Sequence, residues 1–528
     1  MPIAKSSETL PAHIRALLRP GAYPYRPSEI RLVQTHVSYV FLVDKEVFKL
    51  KKPVDLGFCD FTTLAKRRRN CEAEVRLNRR GCPEGVYRGV VRVVQDSRGR
   101  FRVGGRGDVV DYAVRMKRLP QDRMMDVLLE KDAVDFDMVG RVAARLAELH
   151  REAERGPRIS RAGGYATQRR NWRENLDSAH GFIGRTLTEA RYKRIDAFAE
   201  ATLHDEEPLL RRRVAEGWVR DCHGDLRSDA VCFDPELPGG LGIYDCIEFN
   251  DRFRYSDTGL DAAFLAMDLD YRARSDLSDL FIGLYAAAIG DKELPVLLHF
   301  WKAYRAIVRG KVESLLLDDG GVAARERSAA RRRATAYYKL AERYARRRAR
   351  QTLVVVTGPS GSGKSVLAGT LAARLGAVLL STDMLRRELY NTGRQGDDLD
   401  TGIYTAEARE RVYAEITSQA ERYLAAGRSV VVDGTYLEKH QRAPLLRLAG
   451  RRRLLLVECR ADDAVVRQRQ EQRRQESWTT SEGRYEVYEA QKQRFEPPDE
   501  LPAARRLVLD TTQPLASQIE AVLAKLRS

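Results

Sequence analysis

The pattern of apolar and polar positions divides the chain into three regions. In the first region, short apolar runs alternate with polar turns, which is typical of β-strands. We predict strands at 37–43, 47–52, 86–94 and 111–116 and a helix at 61–80. After Pro120 the apolar residues recur at helical spacing as far as residue 350, except at 241–250, where we predict an apolar strand pair interrupted by acids. This change predicts a strand-rich lobe followed by a helical lobe.

The third region, from residue 351 onward, alternates apolar strand patterns with helical ones. We predict strands at 353–357, 377–381, 429–433, 453–459 and 506–509. Strands separated by helices are typical of a parallel sheet, so we expect a doubly wound sheet with helices on both faces. The basic stretch before this sheet, residues 325–350, is predicted to be an exposed connecting helix.

A chain of 528 residues is too long for one hydrophobic core, so several packed units are expected. We predict an α/β multidomain fold with divisions at 1–118, 119–324, 325–350 and 351–528. Because no apolar run is long enough to span a membrane and the N-terminus lacks a signal-peptide core, we expect no membrane partner and a cytoplasmic location. The seven cysteines have no metal-type pairing and are expected to be reduced thiols.

Charge is distributed unevenly along the chain. The whole sequence has 92 basic and 75 acidic residues, a net charge of +17. From residue 351 onward there are 27 basic and 24 acidic residues, a net charge of +3. The third region is therefore not a strongly basic surface, which argues against nucleic acid as its partner.

One motif in the third region points directly to nucleotide binding. The strand at 353–357 leads into Gly358-x-x-x-x-Gly363-Lys364-Ser365, and a helical pattern follows. In such a loop, backbone N–H groups close around phosphates, the lysine reaches the β- and γ-phosphates, and the hydroxyl binds Mg²⁺. The sequence therefore predicts a site for ATP and Mg²⁺. Its predicted members are Gly358, Ser360, Gly361, Ser362, Gly363, Lys364 and Ser365.

Two acidic residues follow strands of the same region. Asp433 ends the predicted strand 429–433, where a carboxylate can reach Mg²⁺ through water. Asp383 follows the strand 377–381 and opens onto the same carboxyl edge of the sheet, so it is a candidate to contact the acceptor hydroxyl. An aspartate after a strand is also a common helix N-cap, and that alternative stays open.

The spacing Asp383-x-x-Arg386 resembles small-molecule kinases of the gluconate, shikimate and zeta-toxin type. The resemblance implies that Asp383 contacts the acceptor hydroxyl and that Arg386 contacts the substrate. Further along the chain, Arg469 and Arg473 lie at positions i and i+4 on one helical face. They resemble the lid arginines that close over ATP in such kinases, and a solvated arginine face is the alternative.

A second constellation lies in the first half of the chain. His223-Gly224-Asp225 is followed twenty residues later by Asp245, in a strand pattern. This arrangement resembles the aminoglycoside phosphotransferase group, whose fold is like that of protein kinases, and the likeness extends over roughly residues 30–310. The resemblance implies that Asp225 accepts the proton of a substrate hydroxyl and that Asp245 holds Mg²⁺.

The same resemblance implies a strand lysine paired with a helix glutamate to orient phosphates, and either Lys49 or Lys51 with Glu74 fits that description. One position departs from the family pattern. Where the family has an asparagine that binds a second metal, this sequence has Ala230, whose methyl group cannot bind Mg²⁺. The neighbouring Asp229 is an alternative ligand. The front domain is therefore either a kinase or a degenerate, nucleotide-sensing or substrate-holding domain.

Together these patterns predict a protein that resembles bacterial chains joining a phosphotransferase-like domain to a P-loop kinase domain. The predicted activity is MgATP-dependent transfer to a hydroxyl of a small molecule. One alternative is a nucleotide-regulated binding or sensing ATPase. Another is a nucleic-acid 5′-hydroxyl kinase, and the near-neutral charge of the third region argues against this second alternative. The sequence indicates neither the acceptor nor the oligomeric state.

Overall fold

The structure is a computed structural model that describes residues 10–346, 351–390, 405–450, 452–475 and 485–527, except for the side chains of 473–475. The chain forms two compact units. The first unit comprises Met1–Val134, Glu152–Asp268 and Ala306–Lys339. The second unit comprises Asp135–Arg151, Leu269–Arg305 and Leu340–Ser528. These units differ from the divisions predicted from sequence, because the segments 135–151 and 269–305 belong to the second unit rather than to the helical lobe.

The strands of the described residues are β1 (Ile30–Gln34), β2 (Ser38–Val43), β3 (Glu46–Lys51), β4 (Tyr87–Gln95), β5 (Phe101–Val103), β6 (Asp108–Lys117), β7 (Val219–Asp221), β8 (Val231–Cys232), β9 (Gly242–Ile243), β10 (Tyr255–Asp257), β11 (Thr352–Thr357), β12 (Val378–Ser381), β13 (Val430–Asp433), β14 (Arg453–Arg460) and β15 (Arg506–Asp510).

The α-helices are α1 (Ala12–Ala16), α2 (Leu64–Asn78), α3 (Met125–Glu130), α4 (Phe136–Glu152), α5 (Pro157–Ala162), α6 (Tyr165–His180), α7 (Glu189–Asp205), α8 (Glu207–Ala215), α9 (Asp251–Arg254), α10 (Thr258–Tyr271), α11 (Ser275–Ile289), α12 (Leu294–Leu315), α13 (Ala324–Ala345), α14 (Lys364–Leu375), α15 (Thr382–Tyr390), α16 (Ala406–Ala425), α17 (Lys439–Arg447), α18 (Asp463–Gln475), α19 (Tyr485–Arg494) and α20 (Leu515–Arg527). No described helix combines the length and the apolar character that crossing a membrane would require.

The first unit contains a six-stranded antiparallel sheet in the order β1-β2-β3-β6-β4-β5. Helix α2 packs against β4 and β6, where its Cys71 and Val75 meet Tyr87 and Val114 in a buried cluster. Thr63 caps α2, because its hydroxyl accepts a hydrogen bond from the backbone N–H of Lys66 at 3.2 Å. The sheet and this helix bring β3 and α2 together, and both carry residues of the predicted front site.

The second unit contains a five-stranded parallel sheet in the order β12-β13-β11-β14-β15. The prediction of a parallel α/β sheet is confirmed, and the observed strand ends lie within a residue of those predicted. Alternate residues of β11 enter two separate buried clusters, with Leu353 and Val355 in one and Val354 and Val356 in the other. The sheet is therefore covered on both faces, as its continuous apolar strands require.

Helix α11 belongs to the second unit because it packs directly on α14, the helix after the phosphate loop. The two helices meet at glycines: a Cβ added to Gly283 would lie 2.5 Å from the carbonyl carbon of Gly369. Arg374 of α14 also pairs with Asp279 of α11 at 3.1 Å. A contact this close needs both glycines, and isolated glycines give no local signal of it in the sequence.

Two local predictions were wrong. The segment 241–250 forms only the short strand β9, because the residues after it leave the extended conformation, with Asp245 at a φ of +64°. The helix predicted at 325–350 as an exposed connector has a buried face, on which Ala334 and Tyr338 pack against Ala179 and Leu187. The β5 strand was not predicted. Its three residues are too short for a period-two pattern to stand out.

Candidate active sites

The phosphate loop of the second unit connects β11 to α14, which begins at Lys364. Gly358, Gly361 and Gly363 have φ values of +143°, +84° and +85°, a region that favours glycine. A Cβ on Gly358 would lie 2.6 Å from the carbonyl oxygen of Cys459, so the loop also needs glycine for close approach. The loop therefore leads directly into the N-terminus of a helix, where backbone N–H groups can bind an anion.

Side chains in and around the loop are held in place. Lys364 Nζ donates a hydrogen bond to the carbonyl oxygen of Pro359 at 3.0 Å. The backbone N–H of Ser360 donates to Gln491 Oε1 at 2.7 Å, which attaches α19 to the loop. Ser362 is buried, and its Oγ makes no hydrogen bond with the described residues. A buried hydroxyl without a partner at this position suits a ligand that supplies one.

Asp433 lies at the end of β13, beside the end of β12, because Ser381 and Asp433 are paired in register. Ser381 Oγ donates to Asp433 Oδ2 at 3.1 Å, and the Ser365 hydroxyl faces the same carboxyl group. Burial raises the pKa of Asp433, and the nearby charge of Lys364 opposes that shift. Asp433 Oδ1 is buried and makes no hydrogen bond of ordinary geometry with the described residues. This donor set, a buried carboxylate with one unused oxygen beside a hydroxyl, fits Mg²⁺.

Asp383 and Arg386 form an ion pair on α15, with Arg386 Nη1 2.9 Å from Asp383 Oδ1. Asp383 lies inside the first turn of α15 rather than before it, so it does not occupy the N-cap position. Its side chain is 38% exposed, whereas Arg386 is buried. Asp383 is close enough to Asp433 to raise the pKa of that carboxyl. The structure thus brings both acids to the carboxyl edge of the sheet.

Of the two predicted lid arginines, Arg469 has a described side chain and Arg473 does not. Arg469 is bound to Thr511, with Nη1 3.0 Å from the hydroxyl and Nη2 2.6 Å from the carbonyl oxygen. Thr511 Oγ1 in turn donates to the carbonyl oxygen of Ser362, so Arg469 is tied to the phosphate loop. Burial lowers the pKa of Arg469. The side chain of Arg473 lies outside the described residues. Sequence reasoning missed Gln491 and Thr511, which lie more than a hundred residues from the loop.

The predicted front site lies in the first unit, where two lysines of β3 meet one glutamate of α2. Lys49 Nζ is 2.9 Å from Glu74 Oε1 and 2.8 Å from Asp245 Oδ1. Lys51 Nζ is 2.5 Å from Glu74 Oε2 and also contacts Glu248. The expected alternation therefore places both lysines on one face of β3. Sequence reasoning did not single out Glu248.

Both lysines contact Glu74, but they differ in their exposure and in the second acid that each of them contacts. Lys51 is 1% exposed, and although burial opposes its charge, Glu248 and Glu74 hold its pKa above the usual value. Lys49 pairs instead with Asp245, whose side chain is 56% exposed. The Lys49 charge lowers the pKa of Asp245 to about 2, so this carboxylate stays ionised at neutral pH. Lys49 therefore faces the accessible carboxylate, and Lys51 lies in the interior.

The loop His223-Gly224-Asp225 is held by hydrogen bonds from its backbone to Asp261. Asp261 accepts hydrogen bonds from the backbone N–H groups of His223 at 3.1 Å and Gly224 at 2.8 Å. Arg227 lies 3.4 Å from Asp225 Oδ1 and 2.9 Å from Asp229 Oδ2. One guanidinium thus holds both acids.

The methyl group of Ala230 is buried beside that loop. Asp229 is engaged by Arg227, and nothing at position 230 replaces the missing amide. Position 230 itself therefore supplies no ligand for a second metal.

The phosphate loop, the buried acid on the neighbouring strand and the parallel sheet define the second unit as a P-loop nucleotide-binding unit. In agreement, a family model described as an AAA domain matches residues 353–498. Over 437 residues the chain is 33% identical to the uncharacterized proteins Rv2004c of Mycobacterium tuberculosis and Mb2027c of Mycobacterium bovis. Each match covers 82% of this chain and 83% of the relative. The chain belongs to the same family as these mycobacterial proteins.

Solved structures also resemble parts of the chain. A gluconokinase from Sinorhizobium meliloti is 24% identical and covers 34% of this chain and 94% of its own, with a TM-score of 0.26. The APS kinase CysC of M. tuberculosis, in complex with AMPPNP and APS, is 21% identical and covers 34% and 100%, with a TM-score of 0.26. A choline/ethanolamine kinase family protein from Mesorhizobium loti is 11% identical and covers 60% and 92%, with a TM-score of 0.36. These TM-scores are too low to support a functional conclusion.

Proposed function

We propose that the second unit is a kinase that transfers the γ-phosphoryl group of ATP to a hydroxyl of a small molecule. The observation that carries the proposal is the buried Asp433 with an unused carboxylate oxygen, beside the Ser365 hydroxyl and the phosphate loop. Phosphoryl transfer depends on positioning and on charge stabilisation, which are the two things that this arrangement supplies.

Each group has a place in this reaction. The backbone N–H groups of the loop and the Lys364 amine bind the phosphates and neutralise their charge. Ser365 and Asp433 are the residues that would hold Mg²⁺, whose chemistry is to screen the charge of the phosphates. Arg469, fixed by Thr511, supplies a further positive charge close to the loop. These groups stabilise the negative charge that develops on the phosphoryl group during transfer more strongly than they stabilise the bound ATP.

The acceptor would bind beside Asp383 and Arg386. Asp383 is partly exposed and lies at the same edge of the sheet as Asp433, so it can orient an acceptor hydroxyl and take its proton. Arg386 holds the Asp383 carboxylate in place. The near-neutral charge of residues 351–528 favours a small acceptor over a polynucleotide.

The test is turnover of the purified full chain with labelled MgATP and a panel of hydroxylated small molecules. We expect the label to move to at least one compound and Lys364→Ala to abolish this transfer. ATP hydrolysis or binding without transfer to any compound would favour the sensing ATPase instead. Transfer to an oligonucleotide 5′-hydroxyl, with binding that weakens steeply as salt rises, would favour the nucleic-acid kinase.

A second candidate function concerns the first unit, which we infer to bind nucleotide phosphates through Lys49. The supporting observation is that Lys49 contacts both Glu74 and the half-exposed Asp245. A phosphate can replace one acid at such an amine. Because Ala230 offers no metal ligand, this unit would bind nucleotide more readily than it transfers phosphoryl. Nucleotide binding to the full chain carrying Lys364→Ala, and its loss on adding Lys49→Met, tests this inference.

A further inference from the structure

Arg442 is a fully buried arginine on α17 whose five N–H groups are all used. Nε and Nη2 bind the two oxygens of Glu500, at 2.6 and 3.2 Å. Nη1 donates to the carbonyl oxygens of Tyr436 and Leu437, each at 3.0 Å, and Nη2 also reaches the carbonyl oxygen of Pro497 at 3.4 Å. An arginine has five donors in a fixed planar fork, so no other residue can make this set of bonds.

Two of the three carbonyl groups that Arg442 binds, those of Tyr436 and Leu437, belong to the loop directly after Asp433. Tyr436 has a φ of +39° there, a left-handed conformation that a bulky side chain rarely adopts. Such a conformation persists only where the surroundings determine it. Two bonds from a buried guanidinium, whose charge is balanced by Glu500, provide that determination.

The same loop is bonded to the start of the phosphate loop. Thr357 Oγ1 lies 2.6 Å from the carbonyl oxygen of Thr435 and 3.2 Å from that of Tyr436. The backbone N–H of Gly358 also donates to the carbonyl oxygen of Thr435, at 3.3 Å. The Tyr436 carbonyl therefore accepts hydrogen bonds from Arg442 on one side and from Thr357 on the other.

We propose that Arg442, with Glu500, is a positioning residue for phosphoryl transfer, because it fixes the 435–437 loop that aligns the phosphate loop with Asp433. Arg442 is too deeply buried to touch a ligand, so it acts through Tyr436 and Thr357. This inference rests on the proposed function for its kinetic consequence, but not for its effect on the loop itself. Mutation of a residue that orients the ligands of a metal site, without touching the metal, typically lowers affinity or activity by roughly 10- to 100-fold.

The test uses full-length Arg442→Lys and Thr357→Val, alone and together, and measures MgATP affinity and amide hydrogen exchange of the segment 353–365 without ligand. We expect Arg442→Lys to weaken MgATP binding about tenfold and to speed exchange in that segment. We expect Thr357→Val to do the same more weakly. In the double variant the two effects should be less than multiplicative, because both act on one carbonyl group.

Two further variants separate positioning from folding. Glu500→Gln keeps the shape of the partner and removes its charge, so it should fold and show the same changes to a smaller extent. Arg327→Lys is the control, since Arg327 also donates to a backbone carbonyl, that of Val322 at 2.9 Å, but belongs to the first unit. It should leave MgATP affinity and exchange of the segment unchanged.

The outcomes distinguish the two proposals. If Arg442→Lys and Glu500→Gln lower thermal stability but leave exchange of 353–365 and MgATP affinity unchanged, Arg442 has only a structural role and the inference is overturned. Fully multiplicative effects with Thr357→Val would overturn it as well. If the wild-type chain transfers phosphoryl to no acceptor, the proposed kinase function fails, and the exchange measurement still decides the role of Arg442.

Discussion

The two candidate sites of this chain handle buried charge in opposite ways. In the second unit, Ser362 and Asp433 each have a buried oxygen that makes no hydrogen bond of ordinary geometry with the described residues. In the first unit, Lys49 and Lys51 are each paired with two acids. Unused buried polar atoms are costly unless a ligand satisfies them, whereas paired charges are already neutralised. From this comparison we expect the P-loop site to receive a ligand directly, whereas a ligand at the front site would have to open an ion pair.

The largest effect is expected for Lys364→Ala in the full chain. The loss of one preorganised charge at the phosphates should lower ATP turnover by about 100- to 1,000-fold, since removal of a single donor from such a site has effects of that size. Steady-state kinetics with MgATP measure it. Lys525→Ala on α20 is the matched control and should retain full turnover. Equal turnover in the two variants would mean that the phosphate loop does not carry the activity.

The ion pairs of the first unit predict a difference between two neighbouring lysines. Lys51→Met leaves Glu74 and Glu248 buried without their shared partner, which should destabilise the first unit by about 3 kcal/mol. Lys49→Met leaves Glu74 paired with Lys51 and frees the exposed Asp245, so it should change stability by about 1 kcal/mol or less.

Denaturant unfolding of the full-length variants measures the difference. Equal losses from Lys49→Met and Lys51→Met would contradict the assignment of Lys51 to the interior and Lys49 to the ligand side. A loss of nucleotide binding in Lys49→Met alone, at unchanged stability, would strengthen that assignment.

Asp383→Asn separates the chemical role of the acid from a structural one. If Asp383 takes the proton of the acceptor hydroxyl, transfer should fall about 100-fold, because general-base catalysis contributes at least that much. MgATP affinity should hardly change, since we propose that Asp383 contacts the acceptor rather than the nucleotide. Transfer and ATP affinity are measured on the same preparation. An unchanged transfer rate would return Asp383 to the role of an acid in the first turn of α15.

Sequence could predict the P-loop sheet and its cradle because their signals are contiguous. The strand, the glycines and Lys364 follow one another within a few residues, and each has a local conformational reason. The bonds from Gln491, Thr511 and Arg442 could not be predicted in the same way, because they join residues far apart in the chain and depend on how the helices pack.

Two further misses have the same origin. Segment 269–305 belongs to the second unit through the contact of Gly283 with Gly369, which leaves no periodic pattern. The strand predicted at 241–250 failed because Asp245 and Glu248 turn toward Lys49 and Lys51. Apolar residues between those acids gave the segment a strand-like pattern, while ionic contacts determined its backbone.

The smallest effect is expected for Asp225, which lies in the unit to which we assign no phosphoryl transfer. Asp225→Ala removes the candidate base of the first unit, which Arg227 already engages and beside which Ala230 provides no metal ligand. Total ATP turnover should therefore change by less than about twofold, since groups that act only in transfer affect only the site that transfers. Turnover of Asp225→Ala in the full chain, with and without Lys364→Ala, measures the share of each unit.

Ala230→Asn restores the amide and supplies the reciprocal test, because turnover gained in the Lys364→Ala background would identify the front site as a kinase weakened at one position. Loss of most turnover in Asp225→Ala alone would reverse the assignment and make the first unit the main transferase.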